Sequence, residues 1–160
     1  MKRYRRVISL RSSGEDSAMN DPFNLDRFLE AQDAIFENVR SELREGRKRT
    51  HWMWFIFPQI AGLGHSPMSK TFAISSLPEA EAYLEHPILG PRLRECTQLV
   101  NAVEGRSISQ IFGDPDDMKF RSSMTLFAHA SGENQVFFDA LKKYFGGQSD
   151  ATTLERIEKC

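Results

Sequence analysis

The sequence predicts a mainly α fold: a single compact domain of about six or seven helices, with a buried aromatic segment at 51–57. Three observations carry that reading. Apolar residues recur at mixed three- and four-residue steps, as in Leu25, Phe28, Leu29, Ile35, Phe36, Val39 and Leu43, which is the spacing of one helix face. The runs are bracketed by helix punctuation, with Asn, Ser or Asp at their starts and Gly at many of their ends. The composition, 40% apolar and 27% charged over 160 residues, is that of a globular chain long enough for one core.

Residues 1–20 stand apart. Lys2, Arg3, Arg5, Arg6 and Arg11 surround Val7, Ile8 and Leu10, too few apolar residues for a signal-peptide core. The expected organisation is a disordered basic N-terminal tail over 1–20, either dispensable or a nucleic-acid- or partner-binding arm, followed by a single helical domain over 21–160. From Asp21-Pro22, with Asn24 as N-cap, a helix is expected over 25–45 and stopped by Gly46. Arg44 and Arg47-Lys48-Arg49 at its end either complement the helix dipole or form an anion-binding rim.

Trp52 to Phe57 is uniformly apolar, so periodicity does not separate strand from helix, and a short buried helix suits the helical surroundings. Pro58 stops the run, and a polar loop bearing Gly62 and Gly64 continues to Ser69. Residues 70–74 extend briefly. Ser76 and Glu79 have capping-box spacing for a helix at 77–85, which His86-Pro87 ends. Ile88, Leu89, Leu93, Cys96, Leu99, Val100 and Val103 mark a long helix over 88–104. Ser107 caps a short turn, and Asp114-Pro115-Asp116-Asp117 starts a helix over 115–129. A further helix follows from Val136 to Phe145, ended by Gly146-Gly147, and Asp150 caps a last short one.

Several function classes are disfavoured. A net charge of −1 does not suit a protein that coats nucleic acid. No apolar run approaches the roughly 18 residues of a membrane span. Cys96 and Cys160 give neither a disulfide framework nor paired ligand spacing, and His51, His65, His86 and His129 are scattered, so no metal is expected and a reduced, cytoplasmic setting is. No cofactor motif is present either.

The polar residues set into apolar stretches are the candidates for chemistry. Lys119, Ser122 and Ser123 share neighbouring faces of one helix, with Arg121 beside them. So many hydroxyls and cations in an apolar helix imply either a satisfied core network against Trp52 and Trp54, or a pocket for an anionic ligand. Such a pocket would draw His51, Gln59, Gly64, His65, Ser66 and Lys70 from the aromatic segment and its loop, with Trp52 or Trp54 stacking on a base. No general acid or base is identifiable; His51 and Glu79 are candidates by chemistry alone.

Five ordered motifs carry a family resemblance: His51-Trp-Met-Trp-Phe-Ile-Phe-Pro-Gln59, Gly62-Leu-Gly-His-Ser66, Tyr83-Leu-Glu-His-Pro-Ile-Leu-Gly-Pro-Arg-Leu93, Phe112-Gly-Asp-Pro-Asp116, and Lys119 with Ser122-Ser-Met-Thr-Leu-Phe127. Together the chain from Asp21 to Ile157 resembles the bacterial and fungal domains of unknown function numbered eighteen-ten. The resemblance implies a mainly helical fold and marks His51, Trp52, Trp54, Pro58, Gln59, Gly62, Gly64, Ser66, Lys119, Ser122, Ser123 and Thr125 as motif residues without giving them roles. Members are sometimes labelled calpastatin, yet an inhibitor of that kind implies a disordered binder and this composition is globular.

Two functions remain in view. One is a domain that binds, and could process, a small anionic nucleotide-like or ADP-ribose-like ligand through His51, Trp52, Trp54, Gln59, Gly64, Ser66, Lys70, Lys119, Arg121, Ser122 and Ser123. The other is a non-catalytic module that docks a protein partner through the Trp/Phe stretch.

Overall fold

The computed structural model describes residues 21–130 and 132–159; the expected tail over 1–20 lies outside the described residues. The fold opens with a side-chain cap. The Asp21 carboxylate accepts from the Leu25 N–H at 2.6 Å and the Asp26 N–H at 2.9 Å, satisfying donors that a helix start leaves open. The expected cap, Asn24, instead takes the left-handed φ of 54° that turns the chain into the helix. The helix expected over 25–45 is two helices, α1 (Asp26–Asp33) and α2 (Phe36–Arg44), broken where Ile35 leaves helical geometry at φ −122° and ψ 4°. At the break, the buried Gln32 amide donates to the Phe55 carbonyl and the Tyr83 hydroxyl, and Arg92 reaches both Gln32 and Asp33. The break lets α1 face the aromatic segment while α2 packs against α6.

The aromatic segment resolves as helix. α3 (Met53–Ile56) is one turn, and Trp52, Met53, Phe55, Ile56 and Phe57 are all buried around it. Phe57 meets Phe120 edge-on at 5.1 Å between ring centroids, and Phe112 stacks on Phe120 at 5.0 Å. Phe55 lies 5.3 Å from Phe72. Each fully buried ring of this size contributes about 1.5–3 kcal/mol. The loop that follows contains α4 (Pro67–Thr71), capped by Ser66, and its two ends are tied by a parallel bridge between Ile60 and Ile74.

α5 (Leu77–Glu85) begins with half of the expected capping box. Ser76 accepts from the Glu79 N–H, while the Glu79 carboxylate turns to Ser75 and pairs with Arg27 at 3.0 Å. α6 (Leu89–Asn101) approaches α5 closely at Gly90, where an added Cβ would stand 2.1 Å from the Leu84 carbonyl oxygen. α7 (Ile108–Phe112) has both halves of its box, from Ser107 and Gln110. α8 (Asp116–Ala128), α9 (Gln135–Phe145), closed by left-handed Gly146, and α10 (Ala151–Lys159) complete the chain. α8 is the hub, packing on α5, α7, α9 and α10, and α6 links α2, α5 and α9. The described residues thus hold ten helices. The excess over six or seven comes from the α1–α2 break and from the short α4 and α7. None is long and apolar enough to cross a membrane.

Candidate functional site

One turn of helix cannot bury every side chain it carries, and α3 leaves Trp54 half-exposed while its neighbours are buried. Trp54 forms one wall of a cleft of about 140 Å³. Gln59, Gly62 and Gly64 come from the loop, Ser69 and Lys70 from α4, and Ile60, Ala61, Phe72 and Ala73 make the apolar lining beside the bridge. Arg27 fixes that lining by donating to the Thr71 and Ala73 carbonyls at 2.8 Å each while it pairs with Glu79.

Among the described residues no carboxylate lines the cleft, and its charged lining residue is Lys70. Lys70 is exposed and has no ion pair among the described residues. Lys119 Nζ lies 5.7 Å from the Trp54 ring centroid, close enough for the ring quadrupole to attract it. Asp116 is 3.7 Å from Lys119 but closer, at 2.9 Å, to Lys48, which itself sits over the Trp52 ring. One carboxylate therefore serves two lysines, and a positive charge is left over beside Trp54. The Trp54 indole N–H and the Gln59 amide have no hydrogen-bond partner among the described residues.

Glycine is required in this wall. A Cβ on Gly64 would fall 2.5 Å from Ser69 Oγ and 2.6 Å from Ser69 Cβ. Ser66, at the N-cap of α4, accepts from the Ser69 N–H at 3.1 Å and shares a hydroxyl contact with it at 3.0 Å, so it holds the wall without lining the cleft.

The structure therefore sorts the sequence-derived residues into groups. Trp54, Gln59, Gly64 and Lys70 line the cleft, Lys119 stands over Trp54, and Ser66 braces the wall. His51 is exposed and outside the lining. Trp52 belongs to the core, where its indole N–H donates to Glu42 Oε1 at 3.0 Å. Arg121 donates to the Gln148 and Ser149 carbonyls, and Ser122 meets the Met118 carbonyl and the Asp150 carboxylate. Both thus engage the start of α10 rather than the cleft. Ser123 is fully buried, and its hydroxyl has no partner among the described residues.

Three contributors were not found by sequence reasoning. Glu42 gathers donors from Asn38, Arg49, Thr50 and Trp52, and so orients the whole start of the aromatic segment. Burial raises its carboxyl, but the combined hydrogen bonds from Arg49, Thr50 and Trp52 outweigh that and hold it below the usual range. Ser69 is the second. The third is Arg156, whose guanidinium lies over Gly62 from 94 residues away. No local pattern marks such partners.

A family model described as "Protein of unknown function (DUF1810)" matches residues 22–157. No curated protein matches the chain. Among solved structures, the conserved hypothetical protein Rv1873 from Mycobacterium tuberculosis is 58% identical, with a TM-score of 0.85 over 86% of this chain and 99% of that one. The mainly helical domain is thus shared with a crystal structure at high identity, and by the extent of the family match the chain belongs to the DUF1810 family of proteins of unknown function.

Proposed function

We propose that the protein binds a small anionic ligand of the nucleotide-like or ADP-ribose-like kind, with Trp54 as the stacking platform, the Gln59 amide and Trp54 N–H as polar contacts, and Lys70 and Lys119 as the cations. The observation that carries this reading is the convergence of Trp54, Gln59 and Lys70, whose polar groups have no partner among the described residues, on a cleft that no carboxylate of those residues lines. Polar groups that the fold leaves unpaired at a cleft are open to water or to a ligand, and ligand sites place a few such groups in an otherwise apolar hollow. The volume, about 140 Å³, is below the roughly 300 Å³ of a whole drug-sized pocket. It suits one ring or one anionic group, with the rest of the ligand lying over the Trp54 and Lys119 face.

The reading is of binding. Glu79 is engaged with Arg27 and Ser75, and His51 stands outside the lining, so neither is assigned as an acid or base. A reduced, cytoplasmic setting belongs to the same reading, since Cys96 is a buried free thiol. The alternative, a protein-docking module built on the Trp/Phe stretch, has less support. Among the described residues the large exposed apolar ones are Met68, Ile88, Met118 and Phe138, none of them in that stretch.

A thermal-shift panel of adenosine monophosphate, ADP-ribose and sugar phosphates on the full chain tests the proposal. Binding at a hundredfold excess over Kd stabilises by about 2.7 kcal/mol, a rise of roughly 5–10 °C for a chain of this length. Lys70→Ala and Trp54→Ala are expected to reduce the rise. No shift at millimolar concentrations of every compound would refute the ligand reading and leave the docking module.

A further inference from the structure

We infer that α10 is an arm of this cleft, with Arg156 as a phosphate-binding residue held in place by Arg121 and the hydroxyls of Ser122 and Thr125; this rests on the reading of the cleft given above. The first observation is how Arg156 meets Gly62. A Cβ built on Gly62 would fall 2.5 Å from the guanidinium carbon and 2.7 Å from Nη1. The guanidinium therefore lies directly on the glycine, at a residue whose φ of 99° already excludes most side chains.

The second observation is what Arg156 lacks. Its hydrogen bond among the described residues is a long one, from Nη2 to the Gly62 carbonyl at 3.4 Å, and it has no ion pair there. The charge is held at the cleft's rim with most of its donors unused. Arginine's planar fork matches the oxygens of a phosphate, which is where such free donors are effective.

The third observation explains the polar residues of α8 that the cleft does not use. Thr125 Oγ1 accepts from the Asp150 N–H at 2.8 Å, and Ser122 Oγ lies 3.3 Å from Asp150 Oδ2. Asp150 Oδ2 also takes the Thr153 N–H at 3.0 Å and the Thr153 hydroxyl at 2.6 Å, which starts the helix. Arg121 grips the two preceding carbonyls, of Gln148 and Ser149, at 3.1 Å each. Three side chains of one buried helix thus fix the origin of α10. Arg156 lies less than two turns beyond that origin, about 9 Å along the axis. A shift at the clamp is carried by the rigid helix to the guanidinium.

Lys70 lines the cleft from α4, Lys119 stands over Trp54 from α8, and Arg156 lies on the lining residue Gly62 from α10. Three cations at and around the cleft, with Asp116 shared between Lys119 and Lys48 as the carboxylate beside them, favour a phosphorylated ligand over its neutral nucleoside.

The test uses the full chain and the emission of Trp54, since Trp52 is buried and hydrogen-bonded; Trp54→Phe supplies the blank. Titration with adenosine monophosphate is expected to show affinity lowered roughly tenfold in Arg156→Gln, as for a lost hydrogen bond to a charged group. Arg156→Lys should retain part of it, and adenosine should bind both chains alike. Thr125→Val should weaken the monophosphate in the same selective way, and Thr125→Ser should restore it. Quenching without any nucleotide gives a second readout. Iodide quenching of Trp54 at low salt should fall about 1.5- to 2-fold in Arg156→Gln, with neutral acrylamide unchanged. Unchanged iodide quenching together with wild-type monophosphate affinity in Arg156→Gln would overturn the arm. Loss of iodide quenching in a protein that binds no nucleotide would support the arm and overturn the ligand reading instead.

Discussion

Replacing Glu42 by glutamine keeps the shape of the side chain and removes the charge on which the start of the aromatic segment converges. Oε1 accepts from the Arg49 N–H at 2.7 Å, the Thr50 N–H at 3.2 Å and the Trp52 indole N–H at 3.0 Å. Oε2 accepts from the Thr50 hydroxyl at 2.7 Å and the Asn38 amide at 3.1 Å. A hydrogen bond to a charged acceptor is worth about 1.5–3 kcal/mol and a neutral one about 0.5–1.5 kcal/mol, so each of the bonds at Oε1 weakens by about 1 kcal/mol. The neutral amide is easier to bury, which offsets part of the loss and leaves about 2 kcal/mol of destabilisation. In a chain of this length that is a fall in Tm of roughly 4–8 °C.

The pH dependence gives the sign. Because the folded carboxyl is held below its ordinary value, the unfolded chain binds the proton first as pH falls. The stabilisation is complete above the unfolded carboxylate range, near pH 4.3, and is lost as pH drops through the lowered folded value. Unfolding of wild type and Glu42→Gln, followed by tryptophan emission from pH 3 to 8, should therefore show a constant gap above about pH 5 that closes on the acid side. A Tm within about 1 °C of wild type at pH 7, or parallel curves down to pH 3, would refute the reasoning.

Three further outcomes follow from single contacts. Gly64→Ala should destabilise by about 1–3 kcal/mol through overlap with Ser69, and Gly64→Ala combined with Ser69→Gly should recover most of that in chemical unfolding. Gly90→Ala, which would place a Cβ 2.1 Å from a backbone oxygen that cannot swing away, should cost about 3 kcal/mol or more with no second-site side-chain remedy. Burial pushes the Cys96 thiol up to about 12; in a Cys160→Ser chain, a thiol reagent at pH 8 should therefore react only at the rate of unfolding, and prompt native-state labelling would contradict its placement.

The fold was legible where its causes are local. Ser107 with Gln110 three residues on makes a complete capping box, Gly146 supplies a left-handed end, and Asp150 caps α10 through the Thr153 N–H, all within a turn of the residue that signals them. The α1–α2 break was not legible, because Phe28, Gln32, Phe36 and Val39 keep three- and four-residue steps straight through it. The contacts made at the break are not local, since Gln32 reaches Phe55 and Tyr83, 23 and 51 residues away.

The candidate site divides in the same way. The unusual residues announced themselves by type, but their assignment depends on which way each points. Trp52 and Trp54 are two residues apart in a uniform apolar run, yet one donates to a buried carboxylate and the other faces the cleft. Lys119 and Arg121 are likewise neighbours, one over Trp54 and the other on the carbonyls before α10. Spacing placed them on one helix and could not say which neighbour each would meet.

The two tryptophans also provide the most direct measurement of the central claim. A chain labelled with nitrogen-15 shows two indole N–H signals, one from Trp52, tied to Glu42, and one from Trp54 at the cleft. Titration with adenosine monophosphate or ADP-ribose should move the Trp54 signal in a saturable way and leave the Trp52 signal in place. Two signals that both stay fixed to millimolar ligand, or a Trp52 signal that moves while Trp54 does not, would contradict the assignment of the cleft as a ligand site.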